Sequence, residues 1–187
     1  MANLADIITS KVRIKILELF FSNLKEVYHV RGIVRETEEE INAVRRELTK
    51  LEKDRGNRIY YSIRPEYPLF GDLTSVVAKT TGLGKIIIEN KNKIGRVSFV
   101  MFSGKFVRHK EHKRDDDVDI LVVGEVVLPE LASIIRAEET GRGKEINYTA
   151  MSRDEFDFRK KRRDPFLLGI LSGSRVMIIG DEEDLVG

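Results

Sequence analysis

The chain has 187 residues, 33 Lys+Arg against 31 Asp+Glu, 41% hydrophobic and 34% charged residues, and no cysteine or tryptophan. These figures exclude disulfide scaffolds, cysteine-bound zinc, thiol catalysis and collagenous or low-complexity chains. No run reaches the roughly 18 apolar residues of a membrane span, and no signal-peptide pattern opens the chain, so a cytoplasmic protein with no membrane partner is expected.

The charged share leans toward a thermophile composition. The net charge of +2 names no partner. Residues 1–70 carry 13 basic and 11 acidic side chains, and residues 71–187 carry 20 of each. Nucleic-acid binding would therefore need a local arrangement of charge.

Thr9 and Ser10 can cap a helix with Val12, Ile16, Leu19 and Phe20 on its buried stripe, ended by Ser22-Asn23. Lys11, Arg13 and Lys15 on it are expected to face solvent. The spacing predicts a short helix over Val27–Arg35, and then a third starting at Thr37, with Glu40 completing a capping box. Ile41, Val44, Leu48 and Leu51 form the stripe of that third helix. After Gly56-Asn57, Arg58–Arg64 alternates like a strand, closed by Pro65.

Three helices, the last two tightly joined, and a basic-flanked strand describe a winged helix-turn-helix. The stretches YHVRGIVRETEEEINAVRRELTKLEKD and RIYYSIRP resemble the winged-helix transcription regulators of archaea and bacteria, over about residues 9–64. The expected partner is double-stranded DNA. Arg45, Arg46, Lys50, Arg55 and Arg58 would contact phosphates, and Asn42 would read a base. Glu38-Glu39-Glu40, at the start of the recognition helix, suit the helix dipole but repel phosphate. A three-helix interaction or dimerisation module is the competing reading.

Pro65 and Pro68 bracket an extended stretch, and Leu69–Thr80 reads as a helix broken by Thr81-Gly82-Leu83-Gly84. The domain seam falls in residues 65–82, giving domains 1–66 and 83–187 joined by a connector helix over 67–82. In the second domain, residues 85–93 read as helix, Arg96–Ser103 as a buried strand, and Ser103-Gly104-Lys105 as the turn after it. Val118–Gly124 reads as a strand, Pro129 to Glu139 as a helix, and Glu145–Met151 as a third strand. Ser152 with Glu155 caps the next helix, Asp164-Pro165 starts another, and Arg175–Ile179 adds a last strand. The fold class is α/β (α+β), a mixed sheet of three to four strands flanked by helices.

Asp117 and Asp119 are two residues apart at the mouth of a strand, so period 2 points both carboxylates to one side. Such a pair can hold Mg²⁺ together with substrate phosphates. Ser103 and Gly104 end the neighbouring strand and could cradle a triphosphate, with Lys105, Arg108, Lys110, Lys113 and Arg114 attracting it. His109 and His112 on the same stretch read as surface groups, and Asp115 and Asp116 as a solvated acidic loop. The Arg159–Arg163 block is either a solvated helix face or a phosphate contact.

FVMFSGKF, DDVDILVVG, GKEINYTAMSRDEF and the DPFLLGIL–VMIIGD ending resemble the minimal nucleotidyltransferases of the polymerase-beta superfamily, over about residues 83–180. The resemblance implies transfer of a nucleoside monophosphate from an NTP, with Asp117 and Asp119 as Mg²⁺ ligands and a third carboxylate one strand later. The family's Gly-Ser is reversed here to Ser103-Gly104, and twelve residues separate Gly104 from Asp117. The preferred strand register puts Asn147 at the third position, and Glu145, two residues earlier on the same face, could substitute. Asparagine brings no charge to a metal and is no base at neutral pH.

Two functions follow. One is a DNA-binding transcriptional regulator whose second domain is degenerate and senses a ligand or binds a partner, in a chain expected to form a homodimer. The alternative is an active Mg²⁺-dependent nucleotidyltransferase of antitoxin type, modifying a toxin-like protein partner.

Overall fold

A computed structural model describes residues 8–48, 60–110 and 117–186. The chain forms two compact units, Met1–Val77 and Ala78–Gly187.

The first unit opens with α1 (Lys11–Ser22), capped where the sequence places the cap: the Ser10 hydroxyl accepts the Arg13 amide at 3.3 Å. A two-residue strand β1 (Tyr28–His29) precedes α2 (Val30–Thr37) and α3 (Ile41–Leu48). β1 pairs antiparallel with β2 (Tyr60–Tyr61), Tyr28 opposite Tyr61. Ile16, Phe20, Ile33, Val44 and Leu48 close one core among α1, α2 and α3. Phe21, Phe70 and Val77 close a second core with α4 (Phe70–Thr80).

Two expectations shift here. The second helix runs from Val30 rather than Val27, because residues 28 and 29 are taken by β1. The third helix starts at Ile41 rather than Thr37. Thr37 instead ends α2, buried, its hydroxyl donating to the Ile33 carbonyl at 2.7 Å. Glu38 then turns the chain in a left-handed conformation (φ 55°).

The second unit is three-layered. Its sheet runs in the order β5–β4–β3–β6, where β3 is Gly95–Ser103, β4 Ile120–Val126, β5 Tyr148–Met151 and β6 Arg175–Ile179. β3 is antiparallel to β4 and β6, and β4 is parallel to β5, so the sheet is mixed. Both faces are covered, which explains why β3 and β4 read as unbroken apolar runs. Val100, Phe102, Ile120 and Val122 pack with residues of α5 (Gly82–Glu89) and α7 (Leu128–Arg142). Phe99, Met101, Leu121 and Val123 pack on the other face, with Phe156 of α8 (Arg153–Lys161), Leu167 of α9 (Pro165–Ser172) and Leu185 of α10 (Glu182–Val186).

The turn expected at Ser103–Lys105 is a short helix, α6 (Gly104–Val107), with the Ser103 hydroxyl accepting the Phe106 amide at 3.2 Å. Helix α4 breaks after Thr80 as expected, but the next one, α5, starts at Gly82 rather than at residue 85, with Thr81 as its N-cap. Gly124 takes φ 144° where the β3–β4 register shifts, and a side chain there would strike the Arg96 carbonyl. No helix among the described residues is long and apolar enough to cross a membrane.

Candidate functional site

The outward face of α3 is one candidate. Burying Val44 and Leu48 turns Asn42, Arg45 and Arg46 to the exposed side. Lys50, Arg55 and Arg58, expected beside them, lie outside the described residues, as do Leu51 and the Gly56-Asn57 turn.

Two of the three acids before α3, Glu39 and Glu40, are engaged. Glu40 caps the helix: its carboxylate accepts the Ala43 amide at 2.9 Å and its carbonyl the Val44 amide at 3.0 Å. The Asn42 and Ala43 amides, with smaller help from Arg46 and Arg45, hold the Glu40 carboxyl below its ordinary range. Glu39 pairs with Lys15 at 2.7 Å, and Lys15 also donates to the Thr37 carbonyl at 2.9 Å, closing the end of α2. Lys15 faces solvent as expected yet is tied to the fold by these contacts, and the partly exposed Arg13 is tied through Glu47 at 2.7 Å.

The second candidate lies at one end of the sheet. Asp119 sits just before β4 and is 3% exposed. Its Oδ2 accepts the Asn147 amide at 3.0 Å, while its own amide donates to the Asn147 carbonyl at 2.7 Å. Asn147 Nδ2 donates to the Asp117 carbonyl at 3.1 Å. Asn147 therefore braces both aspartates, and β5 begins after it, at Tyr148 rather than at Glu145. Glu145 is exposed, outside the strand.

Both carboxylate oxygens of Asp117 accept from Lys105 Nζ at 2.7 Å. The Gly104 amide, expected at a phosphate, donates to the Ser174 carbonyl at 2.6 Å. A Cβ at Gly104 would run into the Ser174 hydroxyl, so the glycine is required for close approach to the chain entering β6.

A surface groove of about 420 Å³ adjoins this end, lined by Asp117, Val118, Ile146, Asn147, Tyr148, Thr149 and Phe166. Tyr148, Thr149 and Phe166 carried no signal in the sequence, since only strand pairing and the position of α9 bring them to Asp117.

Mg²⁺ needs several oxygens free to face it. Here an ammonium covers both Asp117 oxygens, Asp119 is turned to a backbone amide, and Asn147 stands at the third position. Among the described residues no group of three or more His, Asp or Glu side chains is placed to hold a metal. In this arrangement the Lys105 ammonium and the Asn147 amide take carboxylate oxygens that a divalent ion would need. Lys113, Arg114, Asp115, Asp116 and His112 lie outside the described residues. No protein family, curated protein or solved structure matches this chain.

Proposed function

We propose that the protein is a cytoplasmic DNA-binding transcriptional regulator, with a winged-helix first domain and a nucleotidyltransferase-like second domain that does not turn over substrate. The observation that carries the DNA reading is the face of α3. Asn42, Arg45 and Arg46 are exposed on it, while Glu39 and Glu40 before it are held by Lys15 and by the helix's own amides. The repulsion that three acids would exert on phosphate is thereby reduced. The β1–β2 pairing supports the same reading, since it returns the chain beside α2 as a wing requires.

Arg45→Ala with Arg46→Ala should weaken binding to a mixed-sequence duplex and make its log–log salt dependence shallower by about 2, one unit per lost phosphate contact. Unchanged affinity and slope would remove α3 from the interface.

A second reading, the active Mg²⁺-dependent nucleotidyltransferase with a toxin-like acceptor, is favoured by Asp117 beside a groove large enough for a nucleotide. It predicts transfer of radiolabel from α-labelled NTP, abolished by Asp119→Asn. The Lys105–Asp117 pair and the Asn147 brace oppose it, and we expect no transfer.

A further inference from the structure

Lys105 reaches Asp117 from a platform that is fixed on two sides. Ser103 caps α6, and the Gly104 amide donates to the Ser174 carbonyl at 2.6 Å, which pins the first turn to the chain entering β6. Phe106, the residue after Lys105, is buried, edge-on to Phe102 with 5.2 Å between ring centres. The Arg142 guanidinium of α7 lies over the same ring, 4.8 Å from its centre. The backbone of Lys105 is thus held, and its freedom lies in its own side chain.

That side chain is committed too. Its Nζ stands 2.7 Å from each carboxylate oxygen of Asp117. The Asp117 side chain keeps only 17% of its exposure, so the pair is partly withdrawn from water and screened less than a surface ion pair. The contacts continue behind it: the Asp117 carbonyl accepts Asn147 Nδ2, and the Asn147 amide donates to Asp119 Oδ2. The ammonium therefore heads a chain of bonds that links both aspartates to the groove wall at Asn147.

We propose that Lys105 is the resident cation of this site, standing in for a divalent ion at Asp117, and that its removal opens Asp117 to one. An ammonium and a divalent ion cannot share the same two oxygens, since like charges so close repel. Tethered to a fixed platform, the ammonium competes with free ions at a high effective concentration. It brings one charge where the ion brings two, and it has no open coordination position for a phosphate. Lys105 is a positioning residue: it holds Asp117 without giving the site a Lewis acid. The proposal rests on the reading of the second domain as nucleotidyltransferase-like and without turnover.

Titration of the full ¹⁵N-labelled chain with Mn²⁺, as a probe for Mg²⁺, tests this, because paramagnetic broadening detects even weak binding at named amides. In wild type the Val118 and Asn147 amides should keep their intensity at millimolar Mn²⁺. Lys105→Met and Lys105→Gln should each bind about tenfold more tightly and lose those two signals at the same concentration. Lys105→Arg keeps the charge and should exclude the ion as wild type does. Adding Asp117→Asn to Lys105→Met should abolish the gain, which assigns it to Asp117. The dispersion of the same spectra reports whether each variant is folded. Broadening in wild type equal to that in Lys105→Met, or no gain in either neutral variant, would overturn the proposal. Mn²⁺ binding by wild type without label transfer from NTP overturns this proposal alone, whereas label transfer overturns the reading of the second domain as well.

Discussion

Asp119 is the side chain whose surroundings say most about the second unit. A carboxylate at 3% exposure, accepting the Asn147 amide across 28 residues, acts here as a clasp between the approach to β4 and the approach to β5. Asp119→Ala should cost about 1–3 kcal/mol in urea unfolding, because the partly buried Asn147 amide loses its acceptor. Asp119→Asn keeps an oxygen and should cost less. Equal losses would point to charge rather than hydrogen bonding.

Glu40 makes a different kind of prediction. Its carboxyl titrates below the ordinary value of about 4.3 because the folded helix end binds the charged form. Its contribution is therefore fully present above that ordinary value, and is lost as pH falls through the lowered one. The Ala43 amide shift should follow this titration by NMR, and the inflection should vanish in Glu40→Gln. An inflection at or above the ordinary carboxylate value would contradict the cap.

At the scale of elements, each sheet face owes its cover to a few wholly buried side chains. Phe156, from α8, is fully buried against Phe99, Met101 and Leu121. Phe156→Ala should destabilise the second unit by about 3–5 kcal/mol, measured by urea unfolding, since the ring leaves a cavity between helix and sheet. A loss below about 1 kcal/mol would mean that α8 packs loosely on the sheet. A short element beyond the end of β3 sets what Asp117 meets. β3 ends in Ser103, α6 begins at once, and Lys105 in its first turn falls within reach of Asp117. Four residues of helix thus decide which cation the carboxylate meets.

Taken whole, the molecule is nearly neutral yet sharply divided in charge. The acids and bases that matter are sorted by what each meets: Glu39 and Glu40 are drawn in around α2 and α3, whereas Arg45 and Arg46 stay on the outer face.

Much of this architecture could be read from the residues alone, because it rests on contacts within a turn or within a strand. Ser10, Ser152 and Asp164 each cap a helix through the amide three residues on, and β3, β4 and β6 appear as β-branched and aromatic runs. Helix starts failed where two adjacent signals competed, as with Thr37 and Glu40, since both can accept an amide and packing of α2 chose between them. The site was legible as a pair of aspartates near a serine-glycine turn, but its chemistry was not. Lys105 with Asp117, Asn147 with both aspartates, and Lys15 with Glu39 join residues 12 to 30 positions apart. No periodicity encodes such pairs. Local spacing specifies which residues share a face, while strand order and register specify which faces meet, and here that meeting gave Asp117 an ammonium partner.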